Sequence, residues 1–184
     1  MSEYYFEARV GRPAPCDYGT RMGEVFFALH RSIRKEGEGK AGLSFPGWKG
    51  GSCREEVSLG ERIYVVSPCK ESLDRVVSML ERDAAAVEHG DIQMVPEGVR
   101  RMIFSRSRKH QRYFHFARHG DQAGREKAKM HIKGLPAMPS VAMKSSSTGQ
   151  KFLLLIDQRD ESEASGVDAF NSYGLSSGLS VPVF

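Results

Sequence analysis

Apolar and polar positions recur along this chain with periods that lay out an order of elements. Tyr4-Tyr5-Phe6-Glu7-Ala8-Arg9-Val10 is aromatic and partly alternating, and it runs into a Gly/Pro break at Gly11 to Pro15, which marks a first strand. From Thr20 to Lys35 apolar residues fall at Met22, Val25, Phe26, Leu29 and Ile33. Their spacings of 3, 1, 3 and 4 gather a single stripe on a helix. Gly-Leu-Ser-Phe-Pro at 42 to 46 reads as a short strand ended by proline, and Arg62-Ile63-Tyr64-Val65-Val66-Ser67 as a β-branched strand. A second helix is predicted from about Glu71 to Val87, with Leu73, Val76, Val77 and Leu80 on one face. The segments Asp91 to Val95 and Val99 to Ser105 offer a closing strand, so the order is βαββαβ.

That order is the ferredoxin-like split βαβ unit, in which two helices cover one face of a four-stranded antiparallel sheet and leave the other face for a partner. The RNA-recognition module shares the topology. No paired aromatic motif that would stack bases on the sheet is present, however, so the fold allows RNA binding without requiring it. Beyond Ser105 the pattern becomes basic and histidine-rich, helical over about His110 to His119, followed by a Gly/Asp break, more basic residues and a Pro-containing loop at Gly134 to Pro139. Strands resume at Val141 to Lys144, Lys151 to Ile156 and Asp168 to Tyr173, with a polar acidic loop at Gln158 to Gly166 and a terminal Ser-Val-Pro-Val-Phe. The expected class is α+β. A ferredoxin-like (RRM-like) domain occupies residues 1–97, and a smaller C-terminal domain with a basic helix and β-strands occupies 98–184.

Composition adds little until it is divided along the chain. The 184 residues are 40% hydrophobic and 27% charged, which suits a packed core and excludes disorder, and the longest wholly apolar run, Phe152 to Ile156, is far too short to span a membrane. Met1 to Val10 reads as a strand rather than a secretory leader. The net charge of +4 splits into 13 Lys/Arg against 16 Asp/Glu up to residue 97, and 14 against 7 beyond it. Arg100 to Lys133 alone carries 11 basic residues against Asp121 and Glu126, together with His110, His115, His119 and His131. So one-sided a surface repels itself and is suited to a polyanion such as nucleic acid, although a solvated basic helix would share the composition. Cys16, Cys53 and Cys69 form no C-x-x-C pair and no disulfide framework, which fits a reducing cytoplasm.

Three segments could carry chemistry. His30 stands beside the apolar stripe of the first helix; a histidine there can transfer protons near neutrality, or it can simply be half-buried and hydrogen-bonded to a loop. Lys144-Ser145-Ser146-Ser147-Thr148-Gly149-Gln150-Lys151-Phe152 offers hydroxyls and backbone amides for phosphate oxygens and an aromatic ring for a base, or is an ordinary polar hairpin. Phe170-Asn171-Ser172-Tyr173-Gly174-Leu175-Ser176 carries Tyr173, a structural ring or a site residue. His115 and His119 share a helical face but have no third zinc ligand and no H-E-x-x-H pattern, so no metal is expected. With no P-loop and no dinucleotide motif, no cofactor and no small-molecule ligand are expected either.

Taken together, the opening strand, Phe27-Ala28-Leu29-His30, Gly42-Leu43-Ser44-Phe45-Pro46, the basic segment, Ser145 to Phe152, and Tyr173-Gly174-Leu175-Ser176 before Pro182-Val183-Phe184 resemble the repeat-cleaving endoribonucleases of subtype I-F CRISPR systems. Ser-x-Ser-Thr-Gly-Gln-x-Phe and Tyr-Gly-Leu-Ser, in order and after a helical Leu-His, make the combination specific. The resemblance implies metal-independent cleavage of precursor CRISPR RNA at the 3′ base of the repeat hairpin. The products would be a 2′,3′-cyclic phosphate and a 5′-hydroxyl, with the mature guide RNA retained and other subunits of the type I-F surveillance complex as partners. It assigns His30 as the catalytic histidine, Ser145 as the serine that holds the ribose 2′-hydroxyl, and Tyr173 as the active-site tyrosine. Ser147 and Thr148 fall near the scissile phosphate, and Phe152 beneath the terminal base pair. Arg106 matches the base-reading arginine, and Arg112, His115, Arg118 and His119 lie in the segment that enters the groove of the hairpin. Arg108 stands where the best-known pattern has glutamine beside an adenine, which points to a guanine there. The groove helix is also shorter and poorer in arginine, with Tyr113, Phe114 and Phe116 interleaved.

Two other classes share these residues. One is a hairpin-holding structural subunit with weak or lost cleavage. The other is a general double-stranded RNA or DNA binder of ferredoxin-like fold.

Overall fold

A computed structural model describes residues 3–10, 18–36, 39–51, 57–83, 87–108, 113, 117, 120–134, 137–145, 148–164 and 169–184. Strand β1 (Tyr4–Arg9) leads to helix α1 (Tyr18–Glu36), β2 (Gly42–Ser44), β3 (Arg62–Ser67) and helix α2 (Lys70–Asp83). Two short strands, β4 (Glu88–His89) and β5 (Gln93–Met94), then both pair with β1. The sheet order β2-β3-β1-β4, antiparallel throughout, is the ferredoxin-like arrangement that the hydrophobic pattern predicts. Alternation sets its faces. Phe6 and Ala8 pair with Val65 and Ile63, and all four are fully buried with the α1 stripe of Met22, Val25, Phe26, Leu29 and Ile33.

The second sheet has the order β7-β8-β6-β9, from β6 (Arg100–Ser107), β7 (Ser140–Lys144), β8 (Lys151–Asp160) and β9 (Val181–Val183). The predicted closing strand Val99 to Ser105 is therefore corrected: it belongs to this sheet, paired with β8 and β9. Its expected place beside β1 is taken by β4 and β5, after which Gly98, at φ +70°, turns the chain away. Gln158 to Asp160, expected in a loop, continue β8 opposite Met102 to Phe104. The strand expected to end at Tyr173 is a turn over its described residues. Helix α3 (Gln122–Gly134) rises where only a break and basic residues were expected. Asp121, read as part of that break, caps it by accepting from the Gly124 N–H at 2.8 Å, and from Gln122 to His131 only Ala128 is buried among the described side chains, so no apolar stripe marks that stretch.

The two sheets share one hydrophobic core, because Phe104, Val141, Met143, Leu154, Ile156 and Val181 pack continuously with Phe26, Phe45 and Leu43. Trp48 Nε1 donates to the Ile156 carbonyl at 3.1 Å, and Arg101 grips Glu3 through two guanidinium nitrogens at 2.6 and 3.2 Å. The face of the first sheet opposite the helices is not left open as the bare topology suggests. Phe184 packs on Tyr5 and Tyr64, with centroids 4.8 Å away in each case, and Ser44 Oγ donates to the Pro182 carbonyl. No described helix is long and apolar enough to cross a membrane.

Candidate active site

The sequence places His30 immediately after Leu29, whose side chain is fully buried, so the imidazole emerges at the edge of the α1 stripe, half-buried. Its Nδ1 lies 2.6 Å from the Ser172 carbonyl oxygen. A carbonyl can only accept, so the proton sits on Nδ1 and the ring's basic lone pair on Nε2. Of the two readings of the sequence, the hydrogen bond to a loop is present, and it leaves Nε2 as the ring nitrogen that proton transfer would use.

Tyr173 is delivered by a turn whose geometry follows from Asn171 and Gly174. Asn171 Oδ1 accepts from the Tyr173 N–H at 2.8 Å and the Leu175 N–H at 3.3 Å, donors that a strand would otherwise have used. Gly174 follows at φ +68°, and its carbonyl accepts from the Leu43 N–H at 2.7 Å, which ties the turn to β2. The Tyr173 ring then stacks on His30, with centroids 4.4 Å apart and planes at 16°.

Ser145 follows β7. Its N–H donates to the Gln150 carbonyl, its carbonyl accepts from the Gly149 N–H, and its Oγ accepts from the Thr148 N–H at 3.2 Å, a compact turn closed by Gly149 at φ +68°. Phe152 is the second residue of β8, on the far side of the turn. His30, Ser145, Phe152 and Tyr173, separated by up to 143 positions in sequence, line one cleft of about 640 Å³. Thr148 sits exposed in the same turn. The Arg106 guanidinium spans from ring to ring, 5.7 Å from the Phe152 centroid and 5.9 Å from that of Tyr173. Arg106 and Arg108 line a second, polar cleft of about 370 Å³ that shares Ser172 and Tyr173 with the first. Arg112, His115, Arg118, His119 and Ser147 lie outside the described residues. Among the described residues no three His, Cys, Asp or Glu side chains gather as metal ligands.

Reading the sequence alone misses Ser172, whose carbonyl orients His30, and the basic flank Arg31, Arg34 and Lys35 that α1 contributes to the cleft. A backbone carbonyl leaves no trace in residue identity. The flank was visible as Arg-x-x-Arg-Lys directly after His30, but it also reads as cations at a helix C-terminus.

As a class, then, this is a ferredoxin-like α+β protein with a stacked histidine and tyrosine in a cation-walled cleft, suited to a polyanion. The family model described as CRISPR-associated protein (Cas_Csy4) matches residues 5–184, so the chain belongs to that family, the endoribonucleases of type I-F CRISPR systems. Its work is CRISPR-associated RNA processing, and the family implies binding of CRISPR RNA repeat hairpins.

Proposed function

We propose that this protein is a metal-independent endoribonuclease that cuts precursor CRISPR RNA once, at the 3′ base of the repeat stem-loop. It then stays on the hairpin of the mature guide RNA as a cytoplasmic subunit of the type I-F surveillance complex. Residues 1–97 supply His30, and residues 98–184 grip the hairpin and supply Ser145 and Tyr173. The observation that carries the reading is the His30 geometry: Nδ1 spent on the Ser172 carbonyl, the ring stacked on Tyr173, in one cleft with Ser145.

The substrate brings its own nucleophile. The ribose 2′-hydroxyl attacks the adjacent phosphorus, the bond from phosphorus to the 5′-oxygen breaks as that oxygen takes a proton from solvent, to which His30 returns the one it gained, and the products are a 2′,3′-cyclic phosphate and a 5′-hydroxyl. His30 Nε2 takes the 2′-hydroxyl proton, Ser145 orients that hydroxyl, and the cations around the cleft offset the charge that develops on the phosphate oxygens. Phe152 carries the terminal base pair, Arg106 and Arg108 read base edges above it, and Ser147 and Thr148 lie near the scissile phosphate. Arg112, His115, Arg118 and His119 follow the groove.

Incubation of the protein with its cognate repeat RNA in EDTA tests this. A single cut that survives EDTA, vanishes when the nucleotide at the cut is 2′-deoxy, and vanishes in His30→Ala while hairpin binding persists is the expected result. Cleavage abolished by EDTA, or retained in His30→Ala, overturns the mechanism. Tight binding with no cleavage at all would make the protein a hairpin-holding subunit.

A further inference from the structure

One wall of the cleft carries more cations than a single scissile phosphate calls for. Arg31, Arg34 and Lys35 enter it from the last turns of α1, Lys144 enters it from the end of β7, and no Asp or Glu is among the described lining residues. Arg31 and Lys35 both pair with Asp83, whereas Arg34 and Lys144 are exposed and have no ion-pair partner among the described residues. Complementing the α1 dipole explains cations in that helix's last turn, but it does not explain a lysine from a different strand aimed into the same cleft.

The layout gives this wall a direction. The polar cleft with Arg106 and Arg108 and the larger cleft with Arg31, Arg34, Lys35 and Lys144 meet at Ser172 and Tyr173. A strand that passes from the stem-reading side at Arg106 and Arg108 over the His30 and Tyr173 stack enters the cleft along whose side the α1 wall runs.

On the reading given under Proposed function, we propose that Arg34 and Lys144, flanked by Arg31 and Lys35, form a subsite for the phosphates of the single-stranded RNA 3′ of the cut. The subsite reads backbone charge and no base, so it holds the uncut strand in line and releases the short 5′-hydroxyl product once the covalent link to the stem is gone. The hairpin, held by its own contacts, remains.

Two RNAs test this by fluorescence anisotropy over a range of salt. One is the hairpin ending at the cut; the other is the same hairpin with a single-stranded 3′ extension and a 2′-deoxy nucleotide at the cut, so that it binds uncut. The extension should tighten binding ~3- to 10-fold at low salt and steepen the salt dependence by about 1 to 2 in log–log slope, two phosphates' worth of released counterions. Arg34→Ala with Lys144→Ala should erase that gain and leave affinity for the hairpin ending at the cut within about twofold. Lys144→Glu alone, a change at an exposed strand end, should turn the gain into a loss. No gain from the extension in the wild type, a gain that survives the double variant, or equal weakening toward both RNAs overturns the subsite while leaving the hairpin reading standing. Failure of the wild type to bind either RNA removes both.

Discussion

The imidazole of His30 and the phenol ring of Tyr173 lie face to face, 4.4 Å between centroids and 16° from parallel. Helix α1 supplies one ring and the turn after Asn171 the other, so the stack joins the two parts of the chain at the point where chemistry is proposed. With Nδ1 also held by Ser172, the ring has lost both its rotation and its choice of tautomer.

Tyr173 should therefore act in two separable ways. Tyr173→Phe keeps the ring and removes only the hydroxyl, and single-turnover cleavage should slow with little change in hairpin affinity. Tyr173→Ala removes the stack too and should be slower than Tyr173→Phe by about fivefold, the rate equivalent of the ~1 kcal/mol that such ring pairs contribute. Equal rates for the two variants would mean that the stack does not position His30.

Gly174 determines where that ring points. It sits at φ +68°, and a Cβ there would meet Leu43 Cγ at 2.7 Å and Leu43 N at 3.2 Å. Gly174→Ala combines left-handed strain with a clash against β2 and should lower stability by about 2 kcal/mol in chemical denaturation. It should also slow cleavage more than it weakens hairpin binding, because the Gly174 carbonyl that anchors the turn to Leu43 is displaced. Wild-type cleavage by a folded Gly174→Ala would refute this anchoring.

These features differ in how far the sequence discloses them. The α1 stripe, β1 and β3 follow from apolar spacing, because their burial is local and periodic. His30, Ser145 and Tyr173 stand out by residue type and resemblance, yet nothing in the spacing says that they share a cleft. That juxtaposition comes from β6 joining the second sheet and from Asn171 folding a presumed strand into a turn, both decided by long-range pairing. Helix α3 was hidden because from Gln122 to His131 it buries only Ala128 among the described side chains, which leaves no hydrophobic period to read.

Acid should loosen the packing of α1 on α2 through Glu36. Its carboxylate accepts from Arg75 Nε at 2.7 Å and Nη2 at 2.6 Å and from Ser72 Oγ at 3.1 Å, and the Arg75 bonds chiefly lower its pKa from 4.5 to about 2. A folded-state pKa depressed in this way contributes stability that is present above pH 4.5 and lost as pH falls toward 2. The exposed side of the pair is screened, so the contribution is about 1 kcal/mol rather than the full value of the shift. Thermal melts from pH 7 to pH 2 should show wild type losing that increment below pH 4.5, with Glu36→Gln less stable at pH 7 and flatter through the acid range. Parallel curves for the two proteins would exclude the linkage.

In the proposed mechanism Arg106 links the reading of the stem to the His30 and Tyr173 stack. Its guanidinium spans the rings of Phe152 and Tyr173, and its buried Nε has no hydrogen-bond partner among the described residues. A buried donor left unsatisfied costs ~1–3 kcal/mol, and an acceptor on a base edge of the hairpin would recover it. Arg106→Ala should weaken hairpin binding by roughly 10- to 100-fold and relax the choice of base at the terminal pair. Arg106→Lys is the sharper test, because lysine keeps the charge and loses both the planar fork and its stacking on two rings. It should restore much of the affinity at low salt but little of the base selectivity, and cleavage of bound RNA should stay below wild type because Tyr173 is no longer backed by a flat cation. Competition binding between the cognate hairpin and one with the terminal pair exchanged, read beside single-turnover rates, separates the two effects. Full selectivity in Arg106→Lys would show that the planar fork is not what reads the base.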